Sequence, residues 1–370
     1  MEQLGQSASQ TLGVAAVERG ARNLLVDCVG VEAGQDILIV SEADDDYFDP
    51  AVGQTVTSMA RALGAEVRCI RSPLLKGPAA FPDALVTAME QADHTIFLSR
   101  IGDQMRFRDL PGPGSKTMVY ALDAGLLGGE FATTPHGLMC DLLVRLEAEL
   151  ETAEEWHMTC PLGTDVRGRF ARGQQEAVED LDFAVNLFPV TIHRPVACRA
   201  VQGRVVLEHP LVPTGTHIYE PFALMLDSPV TVIVEDGRIV GFDGDVEVTA
   251  RVREHYQKVA GEFGLDPYVV HSWHSGINPK TFYGDRRHDD LERWSNVAYA
   301  SPRYTHFHTC GDVCPGEIAW TLIDASITVD GVPYWQDGEF VFLRRPEIRA
   351  LLAAYPGTEG AFDMRWDIGV

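Results

Sequence analysis

Along the first 150 residues, short apolar runs alternate with stretches whose apolar positions recur at helical spacing. "DILIV" (36–40), "AEVRCI" (65–70), "HTIFLS" (94–99) and "TMVYALD" (117–123) are rich in β-branched residues and predict buried strands. Between them, "DPAVGQTVTSMARALG" and "PDALVTAMEQA" predict amphipathic helices. Strands alternating with helices predict a largely parallel sheet covered by helices. "GLMCDLLVRLEAELETAEE" (137–155) predicts one long helix leading out of this domain.

The pattern then changes. From "HMTCPLGTDVRGRF" onward, apolar runs are punctuated by turn signals in "VQGRVVL", "VEDGRIVGFDGD" and "TVDGVPYWQDGEFVF". Each "DG" between apolar runs predicts a hairpin, because both residues tolerate the positive φ of a tight turn. "DVEVTARVREHYQKVAGEFG" supplies a helix among them. A chain of 370 residues exceeds one ordinary core. The expected organisation is an α/β N-terminal domain over 1–153, then an α+β domain of antiparallel strands over 154–370.

An apolar fraction of 45% is that of a globular protein. The net charge of −24 weighs against nucleic acid or an anionic membrane, since phosphates would be repelled. No window reaches the roughly 20 apolar residues of a membrane helix, and "MEQLGQSASQTLG" lacks the basic start and apolar core of a signal peptide. The seven cysteines are scattered and odd in number, which predicts reduced thiols and a cytoplasmic protein. There is no G-x-G-x-x-G after the first strand and no G-x-x-x-x-G-K-[ST], and "GLLGG" (125–129) reads as a turn. The α/β pattern is therefore not expected to bind a nucleotide.

Chemistry concentrates late in the chain. "RYTHFHTCGDVCPGEIAW" (303–320) and "HSWHSGINP" hold four of the twelve histidines. On a strand, His306, His308 and Cys310 share one face. The turn enforced by Gly311, Pro315 and Gly316 would return Asp312, Cys314 or Glu317 towards the imidazoles. His274 is expected to approach from the other cluster. The expected ligands are His274, His306, His308 and Glu317, with Glu317 and His308 also placed for acid–base roles. Two imidazoles and a carboxylate suit iron(II) with open positions, and zinc or manganese are alternatives. "CGDVC" leaves open a structural His/Cys zinc site, and "HFHTCGD" loosely echoes a cupin. Asp165 and His271 are expected to orient ligating imidazoles. Arg167 and Arg169 are candidates to grip a substrate carboxylate. Tyr304 and Trp273 flank the clusters and are candidates to stack on a ring. His193, in "VTIHRPV", reads as a satisfied core histidine.

"ARNLLVDCVGVEAGQDILIVSE", "FPDALVTAMEQADHTIFL", "MTCPLGTDVRGRF", "PVTVIVEDGRIVGFDGD", "HSGINPKTFY" and "ITVDGVPYWQDGEFVF" carry a further signal. Together they resemble the thermophilic metallo-aminopeptidases and the related 2,5-dihydroxypyridine 5,6-dioxygenases, nearly end to end. The resemblance implies an α/β N-terminal domain, a metal-bearing C-terminal domain and a homodimer. It implies either two metals held by Glu, Glu, His and a late H-x-D, or one iron held by two His and one Asp. The sequence departs from both: it has "GEIAW" where H-x-D would fall, and "HSWHSGINP" where an acid would precede "GxNP". Loss of bridging carboxylates argues against a two-metal peptidase. The expected function is a mononuclear non-haem iron(II) oxygenase for a small aromatic or amino-acid-like molecule. A metal-dependent aminopeptidase or amidase is the alternative.

Overall fold

In this computed structural model the described residues are 13–75, 81–106, 109–170, 185–198, 200–311 and 317–370. In chain order the strands are β1 (Asp36–Glu42), β2 (Glu66–Ser72), β3 (His94–Leu98), β4 (Ser115–Val119), β5 (Glu155–Thr159), β6 (Asp165–Arg169) and β7 (Asn186–Phe188). They continue with β8 (Val196–Ala197), β9 (Gln202–Leu207), β10 (Val212–Pro213), β11 (Val230–Glu235) and β12 (Arg238–Gly244). The last are β13 (Val270–Ser275), β14 (Tyr304–Thr309), β15 (Ile318–Ile323), β16 (Ser326–Val329) and β17 (Val332–Trp335).

The chain forms two compact units. In the first, β2-β1-β3-β4-β7 make one sheet, and every neighbouring pair is parallel. Ile37–Val40 of β1 are at most 1% exposed, as expected of a strand covered on both faces. The helices Pro50–Ala62 and Asp83–Gln91 fill the crossovers where the apolar spacing predicts them. The first is capped by Asp49, which accepts from Ala51 N–H at 2.9 Å.

Two departures from expectation have local causes. The long helix spans His136–Leu150, and Glu155 already begins β5. Glu149, Glu151, Glu154 and Glu155 crowd its carboxyl end, where the helix dipole disfavours negative charge. The Glu154 and Glu155 amides are instead taken by Asp330, each at 2.9 Å. The division between the units falls inside this helix, between Met139 and Cys140, and residues 185–189 return to the first unit through β7. That differs from a boundary at 153/154. A three-residue strand paired to β4 carries too little periodicity to be seen in sequence.

The second unit holds two antiparallel sheets, β10-β15-β14-β13-β8 and β12-β11-β9-β6-β5-β16-β17. Three predicted turns form with positive φ at both residues: Asp236-Gly237, Asp330-Gly331 and Asp337-Gly338. "VQGRVVL" instead runs through β9, and Gly203 sits mid-strand. A Cβ there would stand 2.3 Å from the Asp165 carbonyl oxygen, so glycine permits close approach rather than a turn.

The inner faces of the two sheets meet through tryptophans. Trp156 of β5 lies edge-on to Trp273 of β13, with ring centroids 5.2 Å apart. Helix Val246–Phe263 adds Tyr256, whose hydroxyl accepts from Trp320 Nε1 at 2.6 Å and meets Thr309 Oγ1 at 2.7 Å. No described helix is long and apolar enough to cross a membrane.

Candidate metal centre

The site is built on β13 and β14, neighbouring strands of the β10-β15-β14-β13-β8 sheet. β13 and β14 pair antiparallel with His274 directly opposite His306, and His308 faces Ser272. Side chains two apart on a strand share a face. His274, His306 and His308 therefore project together, on the face that also carries Tyr304. All six residues of β14 are buried.

One ligand nitrogen from each imidazole lies within 4.8 Å of the others. His274 Nε2 stands 2.5 Å from His306 Nε2 and 3.0 Å from His308 Nε2. An imidazole nitrogen offers one proton or one lone pair, so hydrogen bonding satisfies at most one of these two contacts. The outer nitrogens set the tautomers. His274 Nδ1 faces the His193 carbonyl oxygen at 3.4 Å, and His308 Nδ1 faces Thr214 Oγ1 at 3.3 Å. A proton on His274 Nδ1 leaves its Nε2 lone pair directed at the cluster, as in metal-binding histidines. Burial, then the neighbouring imidazoles, hold His274 well below its ordinary pKa. The neutral ligating form is thus the stable one.

The three nitrogens lie close enough together to serve one metal ion, although the 2.5 Å between His274 and His306 is shorter than two ligands of one ion stand apart. Ligands 2.0–2.1 Å from a centre and at right angles stand about 2.9 Å apart, close to the 3.0 Å between His274 and His308. Imidazole donors suit iron, zinc, copper and nickel.

The fourth expected ligand is elsewhere. Glu317 is not in the convergent group. Its amide donates to the Cys310 carbonyl oxygen at 3.1 Å, and Oε2 is buried with no partner among the described residues. Burial raises its pKa. Cys310 has φ +64°, so the alternation that orients β14 stops there. Cys310 is buried, its Sγ lies 3.9 Å from the Tyr256 carbonyl oxygen, and burial pushes the thiol up to about 12. It is not in the convergent group. Asp312, Cys314, Pro315 and Gly316 lie outside the described residues.

The expected supporting residues divide. Tyr304 stands beside the cluster, its ring edge-on to His306 at 5.6 Å and its hydroxyl 2.8 Å from Thr321 Oγ1. Burial pushes this phenol up to about 12. Trp273 points the other way, because it precedes His274 on the strand. It packs against Trp156 and, at 5.6 Å, His193. His271 sits at a register shift in β13, and its Nδ1 contacts Ser272 Oγ at 3.0 Å; it is not in the convergent group.

Asp165, Arg167 and Arg169 lie on β6 of the other sheet. Val166 and Gly168 face inward and these three face solvent. Since the two sheets meet through Trp156 and Trp273, that outer face is turned away from the histidines. Asp165 accepts from His157 Nε2 at 2.8 Å, which lowers its pKa, and orients no ligating imidazole. Arg167 is 69% exposed.

His193 is the satisfied core histidine expected. It is fully buried, accepts from Ser275 N–H at 3.2 Å and is held near pKa 4, chiefly by burial. Its carbonyl contact to His274 was not legible, nor was Thr214 beside His308. Backbone oxygens and threonines carry no sequence signature.

No family model matches the sequence, and no curated protein matches it significantly. Among solved structures, the chain is similar to 2,5-dihydroxypyridine dioxygenase from Pseudomonas putida KT2440. The TM-score is 0.59 at 15% identity, over 90% of this chain and 98% of the other. At that identity the likeness shows a shared fold. It gives the dioxygenase side of the sequence resemblance a structural counterpart.

Proposed function

We propose that this chain is a mononuclear non-haem iron(II) oxygenase acting on a small molecule, with the metal held by His274, His306 and His308. The observation that carries the reading is the convergence of three buried imidazole nitrogens, one of them facing two others at 2.5 and 3.0 Å. The fold shared with a dioxygenase supports it. When bound, the iron would supply open positions at which substrate and oxygen meet.

The protein's own residues do the rest. Three neutral imidazoles bring no charge, so a divalent cation among them keeps its full attraction for an anionic oxygen of the substrate. The His193 carbonyl and Thr214 fix ring orientation. Tyr304 remains a neutral phenol beside His306 and forms an aromatic wall for a ring-shaped substrate. A small aromatic or amino-acid-like substrate, a homodimer and a cytoplasmic location complete the proposal. The six described cysteines form no disulfide, which is in keeping with that location.

A second reading, a zinc hydrolase of the aminopeptidase or amidase type, is favoured by the donor set, since three histidines also form catalytic zinc sites. Protein purified without air and analysed for metal separates the two. Oxygen uptake on adding small dihydroxylated aromatic rings to the iron-loaded protein is the expected result. A zinc-loaded protein that consumes no oxygen but hydrolyses amides would overturn the oxygenase reading.

A further inference from the structure

A cavity of about 630 Å³ in the second unit lies between the turn at Pro161 and Leu162, the loop around Arg287, and the chain flanking β14 and β15. None of the three convergent histidines lines it. Arg286, Arg287, Arg303, His209, Glu208 and Asp324 supply its charge and polarity.

Arg303 is fully engaged: it donates to both oxygens of Asp324, at 2.6 and 2.7 Å, and to the Trp366 carbonyl. Asp324 is thereby neutralised. Arg286 is exposed and its guanidinium has no carboxylate partner among the described residues. Arg287 is half-buried, and its Nη1 donates to His209 Nδ1. An imidazole that accepts at Nδ1 carries its proton on Nε2. His209 is 6% exposed, and burial together with the Arg287 charge holds it neutral, near pKa 4.

The Arg287–His209 pair thus presents N–H donors, and its one acceptor, Nδ1, is already used. The chain has 54 acidic side chains against 30 Lys and Arg. Two guanidinia without a carboxylate partner in one cavity are therefore conspicuous. Glu208, exposed at the rim, competes for them. From this juxtaposition we propose a binding site for a small oxyanion, a phosphate or carboxylate group, held by Arg286, Arg287 and His209 and separate from the metal centre. Arginine forks match the planar or tetrahedral oxygens of such groups.

Calorimetric titration of the whole chain with inorganic phosphate and with succinate, at pH 7.5 and low salt, tests this. Saturable binding at millimolar concentration or tighter is expected. Tighter phosphate assigns a phosphorylated ligand, and tighter succinate a carboxylate; either supports the site. Arg287→Ala should weaken binding about tenfold or more, the loss of a charge-assisted hydrogen bond. Arg286→Ala at an exposed position should also weaken it and keeps the test alive if the first variant does not fold. Glu208→Gln should tighten binding several-fold by removing the competing charge. Unchanged affinity in both arginine variants, or no saturable binding of either anion to the wild type, would overturn the proposal. Because no metal is needed for the titration, this result is independent of the metal reading.

Discussion

Replacing His255 by asparagine should change how stability depends on pH more than it changes stability at pH 7. His255, on helix Val246–Phe263, is 6% exposed and lies edge-on to Tyr219 at 5.5 Å. Its Nε2 has no hydrogen-bond partner among the described residues. Burial, and then the charge of Lys258, lower its pKa from 6.5 to about 4. The unfolded chain therefore takes up a proton where the folded chain refuses it. Stability is full above pH 6.5 and is lost progressively as pH falls towards 4. Each unit between the two values is worth about 1.4 kcal/mol, giving about 3 kcal/mol in all and about 2 kcal/mol between pH 7 and pH 5. All six tryptophans lie in the second unit, so their fluorescence follows that unit alone during urea unfolding. The wild type should lose about 2 kcal/mol more than His255→Asn on going from pH 7 to pH 5. A wild-type-minus-variant difference that is the same at both pH values would refute the reasoning, whatever its size.

Gly168→Ala should destabilise by about 1–3 kcal/mol, because the added Cβ would stand 2.4 Å from the Trp156 ring; Gly241→Ala, whose Cβ meets nothing nearer than 3.9 Å, is the control in thermal melts. Trp273→Leu should cost roughly 3 kcal/mol through lost core packing while metal content is retained; metal loss from a folded variant would return Trp273 to the site. Arg167→Ala and Arg169→Ala should shift stability by less than about 0.5 kcal/mol and leave KM unchanged, and a large rise in KM in either would restore it as a substrate contact.

Local pattern made much of the architecture legible. The strands β1 to β3 and the helices between them follow from apolar periodicity, and the "DG" hairpins follow from the φ values those residues accept. Period two also placed His306 and His308 on one face. Periodicity tells which residues share a face but not what that face looks at. Arg167 and Arg169 are as regularly spaced as the histidines, yet their strand belongs to the other sheet and turns them to solvent. Glu317 lies beyond Cys310, whose positive φ ends the regular strand, so spacing no longer predicts direction there. The pairing of His274 with His306 is a contact across 32 positions, set by strand register. Spacing alone gave no physical ground for His274 rather than His271 as the ligand. The register shift at His271 is what separates them.

The most direct measurement is the metal content, by mass spectrometry after purification without air, of the wild type and of His274→Ala, His306→Ala, His308→Ala and Glu317→Ala. About one iron per wild-type chain is expected. Each histidine variant should be folded by circular dichroism yet bind metal at least tenfold more weakly, whereas Glu317→Ala should keep its full complement. Retention of stoichiometric metal by two of the histidine variants, or its loss from Glu317→Ala alone, would contradict the claim that three imidazoles hold the metal.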